Sequence, residues 1–137
     1  MNDSPRDLVN PRVALLDAAL DGIHSGLSIW TADFKLLFWN RRFLAIYSLK
    51  PEDIVEGASL ETVAARIVSA GHHKDRSAEE LYRLYRDGLA SDAEHGTVEI
   101  DEKLSDDRTI HVKRTRLPGI GWVILHDDVT EARRKER

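Results

Sequence analysis

Apolar positions along this chain change pattern three times, and the changes mark its elements. Val13, Leu16, Leu20 and Ile23 recur at helical spacing, and Asn10-Pro11 supplies a cap and a first-turn proline, so an amphipathic helix is predicted over 10–23. Two short apolar runs follow, Leu27–Thr31 and Leu36–Trp39, joined by the turn at 32–35 and expected to form a hairpin. Asn40 then stands where a strand ends and a helix begins, the natural place for a side chain that caps free N–H groups. Phe43, Ile46 and Tyr47 share one face of the short helix it opens, which Pro51 forbids from continuing; 51–54 reads as one further turn. Ser59 caps the next helix, with the stripe Leu60, Val63, Ala64, Ile67 and Val68 and a stop at Gly71. His72 and His73 fall in a polar loop and are expected in solvent. A last long helix is predicted from about Ala78 to Leu89, with Leu81, Leu84 and Tyr85 buried and ion pairs from Glu79 to Arg83 and from Arg83 to Asp87.

After Gly96 the period becomes two. Over Thr97–Leu104, Val98, Ile100 and Leu104 take one face, and Glu99, Asp101 and Lys103 the other. Arg108–Leu117 and Trp122–Val129 complete three strands separated by turns at 105–107 and 118–119. Helices gathered between two sets of strands imply an α+β domain, an antiparallel sheet with helices on one face. Residues 1–9 carry no packing pattern and read as a mobile lead-in, and 24–130 as the core. Residues 131–137 hold strong helix formers with too few apolar positions to fold alone, the expected start of a helix that continues into a coiled coil or an effector.

Composition narrows the function. The 137 residues contain no cysteine, which excludes disulfides, thiolate chemistry and a flavin–cysteinyl adduct. Twenty basic against twenty-four acidic residues give a net charge of −4, a poor start for a nucleic-acid partner. No apolar run is long enough to insert in a membrane and the start is polar, so the expected location is cytoplasmic. A glycine-rich phosphate loop, an H-E-x-x-H motif and a G-x-S-x-G elbow are all missing from the sequence.

Three local patterns carry a family resemblance over roughly Gly22 to Arg137: Asn40-x-x-Phe43 after the second strand, the hairpin Leu104-Ser105-Asp106-Asp107-Arg108-Thr109-Ile110, and the exit Asp128-Val129-Thr130-Glu131. In this order they resemble a PAS domain of the bacterial sensory type found ahead of histidine kinase or diguanylate cyclase modules. Asp107 stands where the family usually has glycine. The resemblance implies a PAS fold, a five-stranded antiparallel sheet curved over a small cavity, here preceded by the amphipathic helix. It further implies a sensor that relays a ligand or partner signal through its exit helix.

On that reading Trp39, Phe43, Tyr47, Ile67, Tyr85 and His126 are the candidate cavity lining, the two tyrosines foremost because a buried hydroxyl needs a partner. Asp128, Thr130 and Glu131 are the candidate signalling residues: they cap the exit helix and favour its positive end. Val13, Leu16, Leu20 and Ile23 are the candidate homodimer stripe. No cofactor is named. Haem is disfavoured because both neighbouring histidines precede the helix that would carry an axial ligand, and their adjacency argues against a shared metal. Two alternatives stay open: a ligand-free interaction module of the same fold, and a small cone-shaped isomerase-like enzyme, for which His126 is the only suitable group.

Overall fold

The computed structural model describes residues 25–92 and 96–136. The lead-in and the predicted helix with Val13, Leu16, Leu20 and Ile23 lie outside them. The elements run β1 (Gly26–Thr31), β2 (Leu36–Trp39), α1 (Arg41–Ile46), a single 3-10 turn (Pro51–Asp53), α2 (Leu60–Ser69), α3 (Ala78–Asp92), β3 (Thr97–Lys103), β4 (Thr109–Leu117), β5 (Gly121–Asp128) and α4 (Thr130–Lys135). The five strands form one antiparallel sheet in the order β2-β1-β5-β4-β3. The first strand therefore lies against the last, and β5 becomes the centre of the sheet.

Local chemistry accounts for the joints. Asn40 is fully buried and its Oδ1 accepts from the Phe43 N–H at 3.0 Å, capping α1 as its position predicts. The same oxygen accepts from Leu27 N at 2.9 Å, and Nδ2 donates to the Ser25 carbonyl at 2.9 Å. One side chain thus fastens the start of α1 to the start of β1. Ser59 caps α2 through the Thr62 N–H. At the β3–β4 turn Asp107 itself adopts φ 70°, a conformation that aspartate tolerates better than most residues, so the hairpin keeps its geometry without glycine.

The apolar core lies between the helices and one sheet face. Phe43, Leu44 and Ile46 come from α1, Leu60, Val63, Ala64 and Ile67 from α2, and Leu81 and Leu89 from α3. Trp30, Ile110, Val112, Trp122 and Ile124 come from the strands. Leu84 departs from expectation: it is half exposed, because Leu81, Tyr85 and Leu89 already occupy the inward face of α3 at steps of four, and Leu84 is left on its flank. The Glu79–Arg83 pair forms at 2.7 Å, whereas Asp87 pairs with its neighbour Arg86 at 3.1 Å. Among the described residues no helix is long and apolar enough to cross a membrane.

Candidate functional site

Between α2, α3 and the inner face of the sheet lies a cavity of about 430 Å³. Phe43, Tyr47, Ile67, Tyr85 and His126 all border it. Trp39 does not: it is buried in the core, but it ends the edge strand β2, to one side of the void. Trp30, on the next strand inward, lines the cavity instead. Half-exposed Leu84 on α3 and Ile100 on β3 stand at its border too, placing a mouth between that helix and the edge strand.

The polar wall of the cavity centres on Glu102. Its parity places it with Val98, Ile100 and Leu104 on the inward face of β3. Tyr47 Oη donates to Glu102 Oε1 at 3.0 Å, Tyr85 Oη donates to Oε2 at 2.6 Å, and His73 Nε2 donates to Oε2 at 2.7 Å. Burial pushes the Glu102 carboxyl up, but the donors from His73, Tyr85 and Tyr47 outweigh it and hold the group below the usual glutamate range. An ionised carboxylate accepts only, so the protons on these three bonds belong to its partners.

That fixes the direction of a longer chain. Tyr47 spends its single proton on Glu102, so its oxygen must accept from His126 Nδ1, 2.8 Å away. His126 Nε2 is then the unprotonated nitrogen and accepts from Ser28 Oγ at 2.9 Å, while Ser28 accepts from Trp30 Nε1 at 2.9 Å. Each donor from Trp30 to Tyr47 points toward Glu102. His126 is neutral, its pKa pushed down to about 4 by burial against a weaker opposing pull from Glu102. Burial likewise drives the Tyr47 and Tyr85 hydroxyls well above their ordinary value, with the Glu102 charge adding to the effect.

The expectation that His72 and His73 are solvated is corrected. Both are buried. His73 adopts φ 53° and turns its ring onto Glu102, and His72 Nε2 lies 3.1 Å from Ser48 Oγ. His73 and His72 Nε2 find partners on distant elements, while His72 Nδ1 is buried without a hydrogen-bond partner among the described residues. Glu102, His73, Ser28 and Arg114 are the site residues that sequence reasoning missed. Arg114 projects from the inward face of β4 and is buried, with its guanidinium against Gly88 of α3. Glu102 was legible by parity alone.

The exit is built from the same strands. The expected side-chain cap is corrected: Val129 stands at the N-cap of α4 and no side chain caps it, while Asp128 Oδ1, one position earlier, accepts from the Thr130 N–H at 3.0 Å and from the Thr130 hydroxyl. Thr130 Oγ1 in turn accepts from Thr109 N at 2.9 Å, and Val129 N donates to the Thr109 carbonyl at 2.9 Å. Glu131 pairs with Arg134 at 2.8 Å on the exposed surface. Arg133 reaches back to Asp101 of β3 at 2.9 Å, and His111 of β4 sits 2.9 Å from both Asp101 and Glu99. Among the described residues no group of three or more His, Asp or Glu side chains is placed to hold a metal ion.

A family model described as PAS fold matches residues 20–137. Among solved structures, the PAS domain of Bordetella pertussis BvgS superposes with a TM-score of 0.59 at 17% identity, over 93% of this chain and 95% of that one. A PAS domain of a Colwellia psychrerythraea protein gives 0.56 at 12% identity, over 87% and 98%. The phage VqmA–DPO complex gives 0.58 at 14% identity, over 90% of this chain and 57% of that one. No curated protein matches the chain in sequence.

Proposed function

Because the chain belongs to the PAS fold family, we propose that it is a sensory module whose cavity takes up a small ligand and whose exit helix carries the change to an effector. One observation carries the reading: neighbouring residues of the same strands serve both places. On β3, Glu102 faces the cavity while Asp101 holds Arg133 of the exit helix. On β5, His126 faces the cavity and Asp128, two residues on, closes the start of that helix. On β4, Val112 borders the cavity and Thr109 is bonded to both Val129 and Thr130. A ligand that favours one position of these strands biases the helix through direct hydrogen bonds. One neighbour, VqmA, is solved as a complex with DPO, which fits a binding role for the fold. The open volume of about 430 Å³ favours ligand uptake over a filled interaction module. The effector is proposed to be an attached histidine kinase or diguanylate cyclase on the cytoplasmic side, and residues 10–23 are proposed to pair two copies.

The enzyme alternative has one point in its favour, the Ser28–His126 contact, which has the spacing of a nucleophile and its base. Two facts weigh against it. His126 sits at about 4, far too weak a base at neutral pH. Its second nitrogen meets a neutral phenol, Tyr47, where a catalytic histidine needs a carboxylate to stabilise the imidazolium.

The test is a double-mutant cycle in residues 1–137 fused to a histidine kinase core. Val63→Phe projects into the cavity and is expected to change autophosphorylation several-fold. Asp128→Ala removes the acceptor of the Thr130 N–H, costs about 1 kcal/mol of stability and leaves the domain folded. In the Asp128→Ala background the Val63→Phe effect should vanish. Independent, additive effects would sink the proposed relay.

A further inference from the structure

We propose that the ligand of this cavity presents an N–H or O–H donor to Glu102, on an apolar body that fills the space toward Trp30, Val63 and Ile124. The inference rests on the sensory reading above and follows from counting hydrogen-bond directions.

The buried network at the Glu102 end of the cavity holds six donors, Trp30 Nε1, Ser28 Oγ, His126 Nδ1, Tyr47 Oη, Tyr85 Oη and His73 Nε2; Arg76, half-buried, borders the cavity outside that network. All six are already spent on neighbours, and the chain of bonds ends on one carboxylate. What the network itself has left to offer a ligand is acceptor capacity. Glu102 has about four acceptor sites and takes three donors, and the Tyr85 oxygen accepts from no other described side chain in this network.

A ligand acceptor seated on this network has to take a proton donor away from Glu102. That strips a bond from a carboxylate whose side chain is only 11% exposed, where lost hydrogen bonds are least replaceable by water. A ligand donor takes nothing away. Directionality therefore selects, by about tenfold or more in affinity, for the ligand that donates.

The rest of the cavity sets the orientation. Glu102 pairs with Ile110 across the ladder, and Arg114 pairs with Val98, four positions further along the same inward face. That is roughly 13 Å of strand. The positive side chain thus lies at the far end, and an acceptor or anionic group on the same ligand would point toward it. Between the two ends the wall is apolar, with Trp30, Val63, Ile67, Leu89 and Ile124.

The test uses matched probes that differ only in the donor. Indole and benzofuran are near-isosteric bicycles, one with an N–H and one with an ether oxygen; 2-naphthol and 2-methoxynaphthalene differ by a methyl on the hydroxyl. Each is titrated calorimetrically into the intact chain at pH 8. The donor member of each pair should bind at least about tenfold tighter than its partner. In Tyr85→Phe, which frees an acceptor site on Glu102, affinity for the donor members should rise about threefold or more while the donor-less members stay unchanged. Equal or tighter binding by benzofuran and 2-methoxynaphthalene overturns the proposal and leaves the cavity a ligand site. No binding by any of the four at millimolar concentration overturns both the proposal and the ligand-binding reading.

Discussion

Asp101 and Glu102 are consecutive carboxylates on one strand, and they live in different solvents. Strand alternation turns Glu102 to the cavity and Asp101 to the outer face. Both are held below their ordinary range, and the opposition they overcome differs. For Glu102 the largest influence is burial, which opposes ionisation and is outweighed by His73, Tyr85 and Tyr47. For Asp101 the hydrogen bonds from Arg133 and His111 come first, burial is minor, and the carboxyl falls to about 2. A similar direction of shift therefore stands for unlike energies. The inner carboxylate is part of what holds three elements together; the outer one sits in solvent, where screening discounts an ion pair to about 0–1 kcal/mol.

The sharpest way to break this contrast is to remove the inner acceptor. Glu102→Ala leaves the Tyr47 and Tyr85 hydroxyls and His73 Nε2 without their acceptor in a buried place. The expected loss is about 4 kcal/mol in urea denaturation, within the range for breaking a buried charged network from one side. A loss under about 1 kcal/mol would mean that water replaces the carboxylate, and that the inner network is as dispensable as a surface pair.

How much of this was legible follows from how far apart the partners lie. Strand β2, the caps Asn40 and Ser59 and the stop at Gly71 depend on neighbours within a few positions, and the pattern of apolar residues predicts them. The PAS resemblance rested on three such local patterns. The network around Glu102 joins residues 55, 29 and 17 positions apart, and nothing local marks those pairs. His72 and His73 therefore read as solvent groups. Tyr47, Tyr85 and His126 could be named as cavity residues by type and parity, but not the carboxylate that organises them. Glu102 and Arg114 share one usable signal: a charge on the apolar parity of the strand, β3 or β4, which a buried partner or a ligand explains. Trp39 shows the reverse failure. Its size and burial were foreseeable, but its offset from the void depends on the order of strands in the sheet.

Acid separates the two faces next. His126 is buried and its pKa lies at about 4 against an ordinary 6.5. The unfolded chain therefore binds a proton on this group before the folded one does, and stability falls as pH drops from 6.5 toward 4. The displacement corresponds to about 3 kcal/mol, with a slope approaching 1.4 kcal/mol per pH unit inside that window and none from this group above it. His72, also lowered chiefly by burial, adds slope in the same range, so the comparison must be differential. His126→Gln starts less stable but should lose about one proton's worth of slope between pH 6.5 and 4 in urea midpoints. An unchanged slope would show that His126 is not neutral in the folded protein.

The outer face should respond weakly, in the opposite sense for one of its members, and to salt. Burial is slight there, and His111 is raised above 6.5 by hydrogen bonds to Asp101 and Glu99. Its contribution is complete below 6.5 and fades as pH rises through the raised value; that of Asp101 is complete above 3.8 and fades toward 2. Lys113 flanks His111 on its own strand, Asp127 faces it from β5, and Arg133 meets the same Asp101, so His111 sits in a mixed field with a local acidic excess. The cluster is therefore most cohesive between about pH 4 and 6.5. With Asp101 at 40% and Glu99 at 57% side-chain exposure, Asp101→Asn should cost only about 0.5 kcal/mol of global stability, less still in 0.5 M salt. Its effect should be local. Arg133 loses its anchor, and amide exchange in α4 should speed up several-fold while exchange in β5 stays as it was. If Asp101→Asn destabilises the whole domain as much as Glu102→Ala does, the two faces of β3 are not energetically distinct. If α4 exchange is unmoved, the helix is held by Thr109 and Thr130 alone, and the path from cavity to exit runs through β4 and β5 without β3.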